Sequence, residues 1–486
     1  MGRSNIKRET SMRDAQRAVV ENRRWNGERI GTAVVLLVLI AALGATRHVS
    51  PIHGFTPATF RAAVLVVFTV TSWALGLFKE PVTTLVFFLF GVLFAVAPPE
   101  TLFSGFTSPA WWLVFGGSIT GVAVRTTGLA QRLSDKLLSM RADTYRHYVA
   151  VVVLASVGLA FVMPSTTGRI LILTPIALVL ADRLGLGYGR RGRTGIVMAV
   201  AAGSYMPSTS VLPANVPNSV LLGAAEQLYG VKLQYAPYLL LHFPLLGAVK
   251  TVLIIVLICW LYPDTIDKTA LAERSVKPFS SSEKMLSAVL ALSLLFYATD
   301  FWHGISPAWV SLAAGVACLL PQTRIMSTQE FNQGMHIAPL VYVAGFLGLG
   351  ALITQSGLGQ WAAHLLLDAT HMEPGHPIEN VALIVAIGSA ISMLTTLPAL
   401  PAVLTPLAGQ LAHASGLSLY TVLMLQVPAF STVFLPYQSP PMMIAMHMGG
   451  VSLKDGARLC LVLAAITIVV VLPLDLLWWR VLGALP

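Results

Sequence analysis

Two apolar runs that are each too short to cross a bilayer enclose a polar break in this sequence. The runs cover residues 148–163 and 170–181, and the break holds small hydroxyl residues, a glycine and Arg169. A membrane-spanning helix needs about 20 apolar residues, so the two runs most simply enter and leave the membrane on one side. Irregular backbone persists at membrane depth only where protein or a water-filled cavity covers it. The pattern predicts a re-entrant hairpin with a binding site at its tip; a kinked helix with a Ser/Thr cluster is the alternative.

A second copy of this stretch lies in the other half of the chain. At a shift of 231 residues, Thr174 and Pro175 fall on Thr405 and Pro406. The second hairpin is expected over residues 378–414. The repetition indicates an internal duplication and favours the hairpin interpretation.

Each hairpin is followed by an apolar span with a polar, proline-rich centre. These spans cover residues 196–229 and 419–448, and Pro213 of the first matches Pro436 of the second. Proline ends regular helix, so both spans are expected to be broken in the middle.

The composition predicts an all-α integral membrane protein, because 56% of the residues are hydrophobic and only 11% are charged. About eleven transmembrane helices are expected besides the two hairpins, together with amphipathic stretches at 129–147 and 358–368. The predicted spans are 30–46, 62–78, 81–97, 109–124, 196–229, 238–262, 285–298, 307–320, 337–354, 419–448 and 457–479.

The spans divide the chain into two halves with five full crossings each, and an odd number forces the second copy to be inverted. Most Lys and Arg residues then lie on one side, which the positive-inside rule identifies as cytoplasmic. We expect a multi-pass protein of the plasma (inner) membrane, with the N-terminus cytoplasmic and the C-terminus outside. The formal charge of +10 is mostly this orientation signal, so nucleic-acid binding is not expected. The predicted parts are a cytoplasmic basic segment at 1–29, the first helix and external loop at 30–61, the first repeat at 62–262, a cytoplasmic linker at 263–284 and the second repeat at 285–486.

Inverted repeats with broken helices are typical of secondary transporters, whose substrate lies near the membrane midplane between half-helix ends. The N-terminal ends of helices carry partial positive charge and free N–H groups, which suit anions. The predicted site therefore lies between the two hairpin tips and the two broken spans.

The charges inside the spans favour an anionic substrate. Arg169 and Lys250 lie within apolar segments, whereas Glu226, Asp300 and Asp475 are all placed near span ends. A cation carrier usually needs a buried carboxylate. Arg169 could hold a carboxylate or sulfate through its fork of donors. Lys250 could compensate charge, or it could simply pair with a backbone carbonyl.

The tips resemble those of the divalent anion/sodium symporters, a family of the ion transporter superfamily. That family carries Ser-Asn-Thr at each tip with a proline eight residues after the Thr, and Pro175 and Pro406 have this relation to the segments 165–167 and 396–398. The resemblance implies a homodimer in which a transport domain moves as an elevator against a scaffold. It also implies dicarboxylate, citrate or sulfate as substrate, usually with sodium.

The candidate residues follow from the tips and the broken spans. No catalytic residue, metal site or organic cofactor is predicted, and Na⁺ is the coupling ion considered. The ion-site candidates are Ser165, Asn218, Thr396 and Ser439. The substrate candidates are Ser165, Thr166, Thr167, Gly168, Arg169, Thr396, Leu397, Pro398, Ser208, Thr209, Ser431 and Thr432.

Three residues that differ from the family pattern affect the prediction of sodium coupling. Thr166 and Leu397 replace the two motif asparagines, and Arg169 stands where a small residue is usual. We therefore expect weakened or absent sodium coupling, with exchange as one outcome.

Three alternative functions remain open. They are an arsenite-permease-like carrier, an ion/proton antiporter of the same superfamily, and a membrane-embedded enzyme acting on a lipid-linked substrate. The enzyme would need acids and histidines gathered at one depth, which the sequence does not show.

Overall fold

The structure is a computed structural model that describes residues 34–46, 56–75, 77–129, 132, 144–163, 165–267, 278–370, 372–394 and 396–485. Within these residues every regular element is helical. The expected basic segment at 1–29, most of the amphipathic stretch at 129–147, Pro164 and the centre of the linker at 263–284 lie outside them.

The first half consists of straight helices followed by a hairpin and a broken helix. The first hairpin is formed by Tyr145–Val162 and Thr166–Arg183, and the first broken helix by Arg191–Tyr205 and Val216–Tyr229. Short 3₁₀ turns, Pro207–Ser210 and Leu212–Ala214, fill the break. The remaining helices are Val34–Ala45, Pro57–Leu75, Glu80–Leu93, Pro99–Leu102, Ser104–Thr107, Pro109–Thr126 and a long closing helix, Tyr235–Leu261.

The second half repeats this order. The second hairpin is formed by Pro377–Leu394 and a returning arm whose pieces lie between Ala399 and Ser415, and the second broken helix by pieces between Leu419 and Ser431 and by Pro440–Gly449. A 3₁₀ turn, Pro436–Gln438, lies in its break. The remaining helices are Ser281–Ala298, Asp300–His303, Pro307–Leu319, Thr328–Gly334, Ala338–Gln355, Leu358–Thr370 and the closing helix Leu453–Val481.

The predicted all-α membrane fold is confirmed. Four helices of the described chain are long and apolar enough to cross a membrane, namely Tyr145–Val162, Tyr235–Leu261, Ala338–Gln355 and Leu453–Val481. The first of these is an arm of the first hairpin, so the expectation that this arm is too short to cross is wrong: the helix starts three residues earlier than the predicted run, at Tyr145. The spans predicted at 109–124 and 285–298 are the 18-residue helices Pro109–Thr126 and Ser281–Ala298, which are less apolar. The remaining predicted spans are shorter apolar helices or pairs of half-helices at the expected places.

Observed ends differ from the predicted ones by a few residues, for local reasons. The span predicted at 285–298 begins at Ser281, because Ser280 and Glu283 form a capping box that extends the helix towards the linker. Four short helices that the sequence did not predict, Pro99–Leu102, Ser104–Thr107, Asp300–His303 and Thr328–Gly334, lie in the connections.

Two groups of helices are packed in different ways. Pro109–Thr126 lies against Pro307–Leu319 at very short range, because a Cβ on Gly116 would stand 2.3 Å from the carbonyl oxygen of Ser311. In the other group, Arg191–Tyr205 packs against both arms of the first hairpin and against Pro440–Gly449 from the opposite half. The hairpins and broken helices of the two repeats therefore interlock around one centre.

Candidate functional site

A cavity of about 270 Å³ lies at this centre. It is at the small end of ligand pockets, which commonly measure about 300–1,000 Å³, so it suits a small solute. Its polar lining comes from both repeats and from the straight helices. The residues with polar side chains in that lining are Glu80, Ser118, Ser165, Thr166, Thr167, Tyr205, Asn215, Ser219, Tyr342 and Ser439.

Helix N-termini converge on the cavity. Residues at the starts of Thr166–Arg183, Val216–Tyr229 and Pro440–Gly449 line it, as do those of Glu80–Leu93 and Ala338–Gln355. Each end presents the positive end of a helix dipole. Backbone N–H donors are fewer there than at ordinary helix starts, because Pro81, Pro217 and Pro339 each remove one and Pro440–Gly449 begins with two prolines. The arrangement can hold a negatively charged group without a metal ion.

The side chains of the N-cap residues differ in whether they already have hydrogen-bond partners within the protein. Ser165 accepts a hydrogen bond from the N–H of Gly168 at 3.1 Å, and Asn215 accepts one from the N–H of Asn218 at 3.2 Å. Ser439, at the start of Pro440–Gly449, is fully buried, and its hydroxyl has no partner among the described residues. A buried hydroxyl without a partner calls for explanation, and a ligand in the adjoining cavity supplies one.

Of the predicted site residues, the structure brings Ser165, Thr166, Thr167, Pro398 and Ser439 together in this lining. The others are not part of this lining, so direct contact with substrate or ion stays a prediction for them. These are Gly168, Arg169, Ser208, Thr209, Asn218, Lys250, Thr396, Leu397, Ser431 and Thr432.

Arg169 is fully buried, and both of its terminal nitrogens bind protein oxygens. Nη1 donates to the carbonyls of Met163 and of Ala214, the latter at 3.0 Å, and Nη2 donates to the carbonyl of Ser204 at 2.8 Å and to Thr166 Oγ1 at 3.0 Å. The guanidinium thus joins the first hairpin tip to the break of the first broken helix. It reaches the cavity through one hydroxyl, that of Thr166.

The hydroxyls of the first break point back along the chain. Ser208 and Thr209 donate to carbonyls three residues earlier, at 2.7 Å each. Asn218 donates its amide to the carbonyls of Thr209 at 3.1 Å and Val211 at 2.8 Å, and Tyr238 donates to Thr209 at 2.7 Å. Carbonyls at a break are where secondary transporters bind Na⁺ or H⁺, and here protein donors occupy them.

Lys250, the second basic residue predicted within a span, binds the break of the second broken helix. Lys250 is fully buried and donates to the carbonyl of Ser431 at 2.8 Å and to its hydroxyl at 3.2 Å. Thr432 donates to Pro428 at 2.8 Å. The expected pairing of Lys250 with a backbone carbonyl is what the structure contains.

The second tip is apolar and largely enclosed. Thr396 lies 3.2 Å from the hydroxyl of Tyr342, a cavity residue. The N–H of Leu397 donates to the carbonyl of Gln438 at 3.0 Å, which joins this tip to the second break. Only Pro398 of the three predicted tip residues reaches the cavity.

The expectation that acids stay away from the site needs correction. Glu80 begins the helix Glu80–Leu93 and lines the cavity. Asp475, expected near a span end, is fully buried on the closing helix and interacts electrostatically with Lys250. The sequence signal for Glu80 was its neighbour Pro81, since an acid before a first-turn proline marks a helix start.

Interlocked inverted repeats around a small cavity define the class: a multi-pass membrane transporter of a small ionic substrate. Residues 31–485 match the family described as sodium:sulfate symporter transmembrane region, and the chain belongs to that family. The predicted resemblance to the divalent anion/sodium symporters is thereby confirmed.

Individual relatives are distant and similar in length. A Cupriavidus necator "Membrane protein" is 23% identical over 479 residues, covering 92% of each chain. Inner membrane protein YbhI of Escherichia coli is 25% identical over 400 residues, covering 78% of this chain and 82% of that one. An "Uncharacterized transporter" of Haemophilus influenzae is 19% identical over 438 residues, covering 87% and 93%. The Alcanivorax borkumensis YdaH transporter, whose crystal structure is described as having an unusual topology, shares the fold with a TM-score of 0.51, 16% identity and coverage of 88% and 98%.

Proposed function

We propose that this protein is a secondary transporter of small organic or inorganic anions of the di- or tricarboxylate or sulfate class. The observation that carries the proposal is the convergence of helix N-termini on a cavity that also holds the unpartnered hydroxyl of Ser439. Thr166 and Thr167 at the first tip complete the ring of donors around the anion.

We further propose that transport does not depend on sodium and proceeds as exchange. The support is that protein donors fill the carbonyl positions at both breaks: Arg169 and Asn218 in the first repeat, and Lys250 in the second. The guanidinium of Arg169 is a fixed positive charge at such a place, so it does the electrostatic work of a bound Na⁺ and needs no gradient to keep it there.

Glu80 narrows the substrate class within this proposal. A carboxylate in the lining repels a fully ionised dianion but accepts a hydrogen bond from a hydroxyl or a protonated carboxyl group. Hydroxycarboxylates and singly protonated diacids therefore fit the cavity better than sulfate.

The movement proposed is that of an elevator within a homodimer in the plasma (inner) membrane, with the N-terminus cytoplasmic and the C-terminus outside. The interlocked hairpins and broken helices would move together, and the tight pair Pro109–Thr126 and Pro307–Leu319 would belong to the static part.

The test is uptake of labelled succinate, citrate and sulfate into proteoliposomes, with empty vesicles as the background. Saturable uptake of a carboxylate, competed by unlabelled citrate, is expected. Binding without flux would indicate a sensor, and metalloid flux without carboxylate flux would indicate an arsenite-permease-like carrier.

A further inference from the structure

A second buried polar cluster lies outside the cavity, where the two closing helices meet the second broken helix. Lys250 comes directly after the π-helical segment Phe243–Val249, and Asp475 lies one turn after the π-helical segment Thr467–Val471. Such π segments are frequent at functional sites. Both side chains have no solvent exposure.

The two charges of this cluster are not joined. Lys250 donates its hydrogen bonds to Ser431, and no salt bridge links its ammonium to Asp475 among the described residues. Neither carboxylate oxygen of Asp475 has a hydrogen-bond partner there, and the indole of Trp479 approaches without forming a bond of normal geometry. An ionised carboxylate in this position would be severely destabilised.

We propose that Asp475 is a proton-binding site and that its proton decides whether Lys250 binds Ser431 or Asp475. When a proton from water adds to the carboxylate, Asp475 is neutral and the ammonium of Lys250 stays on the Ser431 carbonyl, as in this structure. When the proton leaves, the ammonium moves to the ionised carboxylate and the carbonyl at the second break loses its donor. No other bond is made or broken.

A chain of contacts links this switch to the cavity. Tyr205 lines the cavity, and its hydroxyl donates to the carbonyl of Phe430 at 3.4 Å. Phe430 directly precedes Ser431, whose carbonyl receives Lys250. The protonated state also gives the cluster one net positive charge, which favours an anion nearby. Because coupling is reciprocal, proton binding strengthens anion binding and the anion draws in a proton.

The groups that face Asp475 leave few other candidates for the proton. The closing helix of the first half packs against Leu472–Val481. Its titratable groups in this region are His242, Tyr238, whose ring packs against that of His242, and Lys250, which interacts electrostatically with Asp475. His242 is fully buried, its ring lies 5.4 Å from that of Trp479, and neither ring nitrogen has a partner among the described residues. On the helix of Asp475 itself, Arg480 is exposed. His242 is therefore the alternative proton site that an experiment must separate.

This inference rests on the proposed anion transport. Two measurements distinguish a failure of the proton-site proposal from a failure of the transport proposal. The first is counterflow of the transported anion in proteoliposomes at equal pH on both sides, from pH 5 to 9. Wild-type flux is expected to fall with rising pH, by up to about tenfold per pH unit for a single proton. The variant Asp475→Asn, which is always neutral, is expected to keep only the pH dependence that protonation of the substrate itself produces. Glu100→Gln, on the exposed turn Pro99–Leu102, is the matched control and should follow the wild type.

The second readout needs no transport: the melting temperature of the detergent-solubilised protein over the same pH range. The curve of Asp475→Asn should depart from the wild-type curve, while that of Glu100→Gln should overlay it. If Asp475→Asn keeps the wild-type pH profile in both assays, or if His242→Gln alone flattens it, the proposal is wrong. If the wild type moves no anion at all but the melting curves differ as expected, the transport proposal fails and the proton site stands.

Discussion

Nη1 of Arg169 donates a hydrogen bond to the carbonyl oxygen of Ala214 over 3.0 Å, and this contact joins the tip of the first hairpin to the break of the first broken helix. The guanidinium also positions Thr166, which lines the cavity and accepts from Nη2, so we propose that Arg169 affects substrate binding through this threonine. This buried positive charge at the first break is the main reason to expect transport without sodium.

Replacing Arg169 should damage both stability and transport. Arg169→Lys keeps the charge but cannot reproduce the fork of donors, and each buried carbonyl left without a partner costs about 1–3 kcal/mol. Uptake should fall by roughly tenfold or more for Arg169→Lys and further for Arg169→Met. Arg183→Lys, in the last turn of the same helix, is the control and should behave as wild type. Normal uptake and melting in Arg169→Met would contradict the positioning role.

Thr167 is the cleanest probe of direct substrate contact. It lines the cavity in the first turn of Thr166–Arg183, so Thr167→Val keeps the shape and removes one donor. The Michaelis constant for uptake should rise roughly 5- to 30-fold, the equivalent of about 1–2 kcal/mol, with little change in melting temperature. Thr174→Val is matched in chemistry, since Thr174 is buried on the same helix without a hydroxyl partner. An equal effect of both changes would exclude a substrate contact at Thr167.

Glu80 should set the preference between anions. Glu80→Gln removes the negative charge from the lining and keeps a hydrogen-bonding group, so fully ionised sulfate should gain affinity relative to citrate. A change in the citrate-to-sulfate uptake ratio of roughly 3- to 30-fold is expected. The paired control is Glu100→Gln, on the exposed turn Pro99–Leu102. An unchanged ratio would show that Glu80 does not face the bound anion.

Asn218 offers a way to build sodium dependence into the chain. In Asn218→Asp, a carboxylate would face the carbonyls of Thr209 and Val211, and three oxygens together would favour a cation. The variant should melt at a lower temperature than the wild type in choline buffer and recover when Na⁺ is added. Asn215→Asp, which retains the helix cap and adjoins no such carbonyl pair, should show no response to Na⁺. A sodium response already present in the wild type would count against the account.

The contact between Arg132 and Glu283 predicts a pH dependence outside the membrane. Arg132 donates to both carboxylate oxygens, at 3.0 and 2.8 Å, and lowers the pKa of Glu283 to about 2. A lowered pKa means that the stabilisation is present above the usual value of 4.5 and is lost as the pH falls through that range towards 2. Between pH 5 and pH 3 the wild type should therefore lose more melting temperature than Glu283→Gln. Parallel curves would show that the pair is not formed in solution.

Much of the fold could be predicted from short-range patterns in the sequence. The polar break at 165–169, its repeat at 396–400 and the prolines of the two broken spans all mark interruptions that the structure contains, because hydrophobic length and proline act locally. Helix ends moved by a few residues where a cap such as Ser280 decided them.

The chemistry of the site depended on contacts that spacing does not reveal. The partners of Arg169 lie up to 45 residues away, and that of Lys250 lies 181 residues away. Asp475 looked like a residue near a span end because its depth depends on how Leu453–Val481 packs. Glu80 looked like a loop charge beside Lys79, since only the folded helix start brings it to the cavity.

The most direct test of the central claim is uptake of labelled citrate and succinate by wild-type proteoliposomes, with the inward gradient made of either sodium or choline and with or without unlabelled anion inside. We expect equal uptake in sodium and choline, and stimulation by the internal anion. Uptake that requires the sodium gradient and ignores the internal anion would show that Na⁺ binds despite the donors at both breaks, and would contradict the account.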